Sequence, residues 1–309
     1  MTAGPLDAAI RPLERHRAPA AVAVLACLAA LYWWGWGDGV GAALRALVAD
    51  SGANTSGTVT VRGQAWRLLD NALLTCAGAA AFCVVRRLAC GYAVVRPGRG
   101  MDRGMGRDGD DRTNGVFRAA WARWWNAGFA YVFCMMAGFA SIDATSALLR
   151  TTFHSYPFGT RYENGFAALL YLANMFFAGP TEELVLLGLT VVGLRWVGSP
   201  WWLVTCAAVA LRVPFHLYYG WAAFAIGVWP VLAVMLYRRV GMITPMIVAH
   251  GMYDVSTAMT SMTGVAGSPW PLVVALAIMV APVVWAAAII VRRAHPMLRS
   301  LRDLQALRR

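Results

Sequence analysis

Six ionisable side chains stand where an apolar sequence has no ordinary use for them: Glu182 and Glu183, Arg212 and His216, and His250 and Asp254. The last two are spaced i, i+4, so on a helix they share one face. Each pair falls within a separate, mostly apolar stretch. Inserting one ionisable group into a bilayer costs roughly 2.5–3.5 kcal/mol, so each asks for a reason. A carboxylate beside an imidazole can take a proton from water and pass it on, which is the chemistry of a hydrolase. A second imidazole and a further carboxylate can hold a carbonyl or steady the negative charge that develops on its oxygen. Glu182, His216 and His250 could alternatively bind a divalent metal such as zinc that activates water. No HExxH pattern is present, so nothing ties the set to a zinc-peptidase helix.

Membrane helices must position these groups. The chain has 309 residues, of which 59% are hydrophobic and 14% charged, and its mean hydropathy is +0.55. Soluble domains carry about 25% charged residues, so the outside of this chain must meet lipid. Its net charge of +12 comes wholly from Arg, since the sequence contains no Lys. These Arg lie between apolar runs rather than on a polar face. That suits a lipid bilayer surface as partner and argues against nucleic acid. The six cysteines sit mostly inside apolar runs without CxxC spacing and read as small buried hydrophobes.

Crossing about 30 Å of hydrocarbon takes about 20 residues. Stretches of that kind lie near 18–36, 68–92, 127–149, 164–197, 201–219, 221–237, 242–262 and 271–291. They predict an all-α polytopic membrane protein of eight spans, with the chemistry on spans 4, 5 and 7. The first follows Arg11, Arg15 and Arg17 and lacks a small-residue cleavage site, so it reads as a retained signal anchor. With both termini cytoplasmic, 21 Arg fall on inner segments and five on outer ones, as the positive-inside rule requires. Residues 1–17 then form a cytoplasmic tail, and 18–150 a three-helix region with a polar cytoplasmic loop at 96–123. Residues 164–291 form the membrane domain that carries the site, and 292–309 a basic cytoplasmic tail, in a multi-pass protein of the cell membrane.

The stretch 164–197 is too long for one straight crossing, and Gly179-Pro180 is predicted to break it just before the two glutamates. At about 1.5 Å per residue from each span's inner end, the six groups lie about 16–22 Å deep, in one slab about 6 Å thick. Asp70 and Asp143, near span ends, read as interfacial. A lone histidine at such depth could merely stitch helices together. Three matched pairs at one depth point to a site.

Glu182-Glu183, His216 and His250-x-x-x-Asp254 resemble the three motifs of the CPBP intramembrane protease family: Glu-Glu-x-x-x-Arg, Phe-x-x-x-His and His-x-x-x-Asn/Asp, on successive membrane helices. That family includes the CAAX prenyl endopeptidases, the lysostaphin-resistance-like proteins and bacteriocin self-immunity proteins. The resemblance covers roughly 164–262, and the first 150 residues resemble nothing comparable. It implies an intramembrane endopeptidase acting on a membrane-associated peptide or protein. Glu182 would activate water with help from His216, Glu183 would support the site, and His250 and Asp254 would form the oxyanion side. No cofactor is required in that scheme; zinc is the alternative.

Two positions depart from the pattern. Leu187 stands where the first motif has Arg, and Arg212 where the second has Phe. Arg212 lies at a depth of about 16 Å and Glu183 at about 18 Å, so Arg212 is expected to replace the missing cation in a two-pronged pair with Glu183. The departures also leave room for a catalytically weak or inactive binding or immunity protein. Membrane Glu and His would suit a proton-coupled transporter as well, although no inverted repeat is visible.

Overall fold

The computed structural model describes residues 4–49 apart from 15, 57–90, 109–151, 154 and 161–266, with separate positions between 273 and 289. Among the described residues, regular structure is helical throughout; one isolated bridge pairs Val59 with Tyr162. The helices are α1 (Pro5–Ala9), α2 (Arg17–Val48), α3 (Val61–Cys90), α4 (Gly109–Leu149) and α5 (Gly165–Glu182). A π-helical stretch, Glu183–Leu189, joins α5 to α6 (Thr190–Trp196). Then come α7 (Trp201–Arg212), two 3-10 segments (Pro214–Tyr219 and Trp221–Gly227), α8 (Val228–Val240) and α9 (Thr244–Ala266).

Among the described residues five helical stretches are long and apolar enough to cross a membrane: Arg17–Val48, Val61–Cys90, Arg118–Leu149, Gly165–Trp196 and Trp221–Val240. The protein is therefore all-α and multi-pass. The other three expected crossings differ for separate reasons. Helix α7 stops after 12 residues, where Pro214 opens a 3-10 turn and the fifth stretch loses its regular helix. Helix α9 has the length for a crossing, but His250, Asp254 and a run of Ser and Thr dilute its apolarity. The eighth stretch, 271–291, falls largely outside the described residues.

The stretch Gly165–Trp196 is central. In its apolar window 78% of residues are buried, against 17% in α2 and in α3, whose outer faces are left for lipid. Pro180 does not break it. Helix α5 runs through Pro180 to Glu182, and the irregularity begins one residue later as the π stretch. Pro180 has no N–H for the Phe176 carbonyl, and the Thr181 hydroxyl donates to the neighbouring Phe177 carbonyl at 2.7 Å. The π turn then closes one residue wide, with the Thr190 hydroxyl donating to the Val185 carbonyl at 3.0 Å. Such single π turns inside α-helices gather at functional sites, because they re-aim side chains without ending the helix.

Three further expectations change. The loop placed at 96–123 is shorter on its C-terminal side, since α4 begins at Gly109; from there to Asn126 no Pro interrupts the chain. Residues 4–13 are no free tail. Leu6 and Ile10 are buried, Arg11 N–H donates to the Ala89 carbonyl and Leu13 N–H to the Trp196 carbonyl. Asp7 accepts from Arg238 (2.9 Å) and from the Trp201 indole (2.8 Å), which docks α1 across the ends of α3, α6 and α8. Of the cysteines only Cys134 is buried; Cys76, Cys83 and Cys206 are exposed on helices that face lipid.

Candidate active site

The site forms where α5 crosses α9, and two glycines set the crossing. A Cβ on Gly179 would lie 2.2 Å from the Ile247 carbonyl oxygen, and one on Gly251 would lie 2.5 Å from the Phe176 oxygen. The contact is reciprocal: each helix presses a glycine onto a carbonyl of the other. The Phe176 carbonyl is the one that Pro180 leaves without its helical N–H, so the proline and the glycine are two parts of one contact. His250 adjoins Gly251, and Glu182 lies three residues past Gly179, so backbone contact delivers these two side chains to each other. Gly251→Ala is expected to spread the helices at a cost of about 1–3 kcal/mol and to lose most activity. Thermal melting beside a cleavage assay checks it.

Glu183 is fully buried, and its Oε1 receives two donors, Arg212 Nη2 at 2.8 Å and His250 Nδ1–H at 2.7 Å. Arg212 therefore reaches Glu183 across the contact between the π stretch and α7, through one nitrogen and one oxygen rather than the two-pronged pair expected. Its guanidinium lies 4.0 Å over the Trp229 ring and 3.5 Å from the Tyr131 hydroxyl, to which the Trp229 indole also donates (3.2 Å). Leu187, at the position of the missing motif Arg, is buried among apolar side chains. A buried cation is tolerable when paired and hydrogen-bonded, and Arg212 is both.

Arg212 also serves through its backbone. Helix α7 ends there, leaving carbonyls without helical partners, and His216 donates Nδ1–H to the Arg212 carbonyl at 2.8 Å. That bond fixes the tautomer of a neutral imidazole and leaves its Nε2 free to accept. His250 is oriented by its Nδ1–H bond to Glu183, and its Nε2 points toward two further carboxylates, 3.5 Å from Asp254 Oδ2 and 3.9 Å from Glu182 Oε2. The Trp229 indole stands edge-on to both imidazoles, at 6.1 and 5.1 Å between ring centres.

A cavity of about 640 Å³ opens over this arrangement. Glu182, His216, His250 and Asp254 line it; Glu183 and Arg212 lie behind its wall. The two adjacent carboxylates are thus unequal. Glu183 is sealed and paired through Oε1, whereas Glu182 retains 12% exposure and has no cation nearer than 3.9 Å; the Oε2 atoms of both are buried without a hydrogen-bond partner. The structure brings all six singled-out residues into one neighbourhood. Asp143, read as interfacial, also lines the cavity. Sequence reasoning passed over Tyr131 and Trp229, which are ordinary aromatics of apolar runs. It passed over Asn174 too, a polar residue inside a span, which is 3% exposed and hydrogen-bonded to Asn71 and Gln64.

Among the described residues there is one metal-sized grouping: single ligand atoms of Glu182, Glu183 and His250 lie within 4.8 Å of one another. It differs from the expected set, since Glu183 takes the place of His216. It suits a dication poorly. The Glu183 oxygen already holds Arg212, and the same guanidinium lies 3.9 Å from Glu182, so a fixed positive charge stands inside the would-be ligand shell.

Residues 164–256 match the family described as Type II CAAX prenyl endopeptidase Rce1-like. The match spans 93 of the 309 residues, and this segment is similar to that family. No curated protein and no solved structure matches the chain at a comparable level. The matched segment begins with α5 and ends within α9, so it contains Glu182, Glu183, Arg212, His216, His250 and Asp254. The similarity is to a CAAX-type protease family, and the cavity walls supplied by α2, α3 and α4 lie outside the matched segment.

Proposed function

We propose that this chain is an intramembrane endopeptidase that hydrolyses peptide bonds of membrane-associated substrates with a water activated by Glu182. The observation that carries the reading is the unequal treatment of adjacent carboxylates: Arg212 pairs with Glu183 at 2.8 Å behind the wall, whereas Glu182 lines the cavity and its nearest cations, Arg212 and His250, stand 3.9 Å away. A water on Glu182 gives up its proton as its oxygen attacks the scissile carbonyl carbon. His216, with Nε2 free to accept, holds that water's second hydrogen. His250, held as an imidazolium between the Glu183 and Asp254 carboxylates, keeps Nδ1–H on Glu183 and donates Nε2–H to the carbonyl oxygen as negative charge builds there. Glu182 returns the proton to the departing amine as the C–N bond breaks. Eight crossings of the cell membrane with both termini cytoplasmic, and a protease domain over 164–291, complete the reading.

No step here needs a metal. Purified protein, stripped with chelator and analysed for metal, is expected to keep its cleavage rate. Loss of activity that zinc restores would replace the Glu182 base with a metal-bound water. A cellular phenotype that survives both Glu182→Ala and His250→Ala would mark a binding or immunity protein instead.

A further inference from the structure

The two ends of the helix bundle differ in charge, and the cavity opens toward only one of them. At the first end, α1 ties together the end of α3, the end of α6 and the α7–α8 pair, through the Ala89 and Trp196 carbonyls, Trp201 and Arg238. Trp124 of α4 donates to Thr244 at the start of α9 (3.2 Å), which places the entry of α4 and of α9 at the same end. Arg11, Arg17, Arg86, Arg87, Arg238 and Arg239 gather there. At the opposite end Val59 pairs with Tyr162, and Val61 N–H donates to Glu163 (2.8 Å), joining the starts of α3 and α5. His154 N–H donates to the Tyr219 carbonyl (3.3 Å), which brings the exit of α4 to the 3-10 segments.

The mouth of the cavity lies toward this second end. Helix α2 contributes Gly35 and Gly39 from its later half, α3 contributes Arg67 and Asn71 from its first turns, and α4 contributes Asp143 from its last. Helix α9 contributes Thr257 from its second half. Gly39, Arg67 and Asp143 are exposed, while Glu182 and His250 lie at the inner limit. The cavity thus runs from the middle of the bundle, where Glu182 and His250 lie, to the end poor in Arg, where Gly39, Arg67 and Asp143 form its mouth.

Cytoplasmic ends of membrane proteins carry the excess of Arg. The eight-span reading puts 21 Arg on one side and five on the other, and the described Arg11, Arg17, Arg86, Arg87, Arg238 and Arg239 lie at the first end, which makes that end the cytoplasmic one. We infer that the cavity opens to the extracytoplasmic side, so that its substrate is a membrane-anchored peptide whose scissile stretch lies in or above the outer leaflet, not a cytosolic C-terminal motif. The identity of the substrate as a peptide rests on the protease reading above; the side from which it enters does not.

Sidedness can be read without activity. In a chain whose six native cysteines are replaced, Gly39→Cys, Arg67→Cys and Asp143→Cys at the mouth are compared with Arg87→Cys at the other end. A membrane-impermeant maleimide added to intact cells is expected to label the three mouth positions and to spare position 87, which reacts only after permeabilisation. Labelling of position 87 from outside, with the mouth positions reached only after permeabilisation, overturns the proposal. Should the cysteine-free chain fail to fold, an epitope tag inserted between α2 and α3 of the otherwise native chain asks the same question. An antibody added to intact cells is expected to bind that tag and not one at the C-terminus; the reverse pattern refutes the orientation. An inactive enzyme with the expected labelling would sink the protease reading alone.

Discussion

Glu182→Gln is expected to cut the cleavage rate by at least about a hundredfold, the low end of what a positioned general base contributes, with little change in melting temperature. The substitution keeps size and shape but removes the lone pairs that take the proton from water. It should spare the fold because Glu182 Oε2 has no hydrogen bond to lose and its ion-pair neighbours, Arg212 and His250, stand 3.9 Å away. Glu183→Gln offers the contrast. That oxygen holds both Arg212 and His250, so its loss should lower melting temperature and activity together. Rates on a membrane-anchored peptide, measured beside thermal melting in detergent, separate the two glutamates. Equal behaviour of the two variants would remove the distinction on which the mechanism rests.

Arg212→Leu is expected to destabilise the protein by about 3–5 kcal/mol, the usual effect of removing one partner from a buried ion pair. Glu183 would lose its guanidinium partner and keep only His250, and Trp229 and Tyr131 would lose the guanidinium they enclose. The double substitution Arg212→Met with Glu183→Gln removes both charges and leaves an amide oxygen for His250, so it should recover most of that stability. Denaturant or thermal unfolding of the two singles and the double closes the cycle. A harmless Arg212→Leu would show that Glu183 needs no guanidinium.

The site was legible because membrane insertion makes ionisable residues expensive, so each of the six announced itself. Rise per residue then placed them at one depth, and the nearness of Arg212 to Glu183 followed from that arithmetic. What stayed hidden depends on contacts between helices far apart in sequence. Gly179 and Gly251 look like unremarkable helix glycines until α5 and α9 cross. Pro180 looks like a break, yet the helix absorbs it because the freed Phe176 carbonyl faces Gly251, and the distortion moves on to the π stretch at Glu183. Tyr131 and Trp229 carry no pattern that separates them from other aromatics of apolar runs. Hydropathy windows also read 201–219 as one span because they do not register Pro214, which turns the chain into a 3-10 segment and sets His216 against the Arg212 carbonyl. The N-terminal segment read as a tail because its anchors, Trp201 and Arg238, lie some two hundred residues away.

The most direct test is side-by-side incubation of purified wild-type protein and Glu182→Gln, each reconstituted in vesicles with a library of single-span membrane peptides and analysed by mass spectrometry. The account predicts internal cleavage products with the wild type that are absent with the variant, both proteins showing the same melting temperature. Equal product formation by the two folded proteins would contradict it, as would folded wild type that leaves every peptide intact whichever way the peptides are inserted.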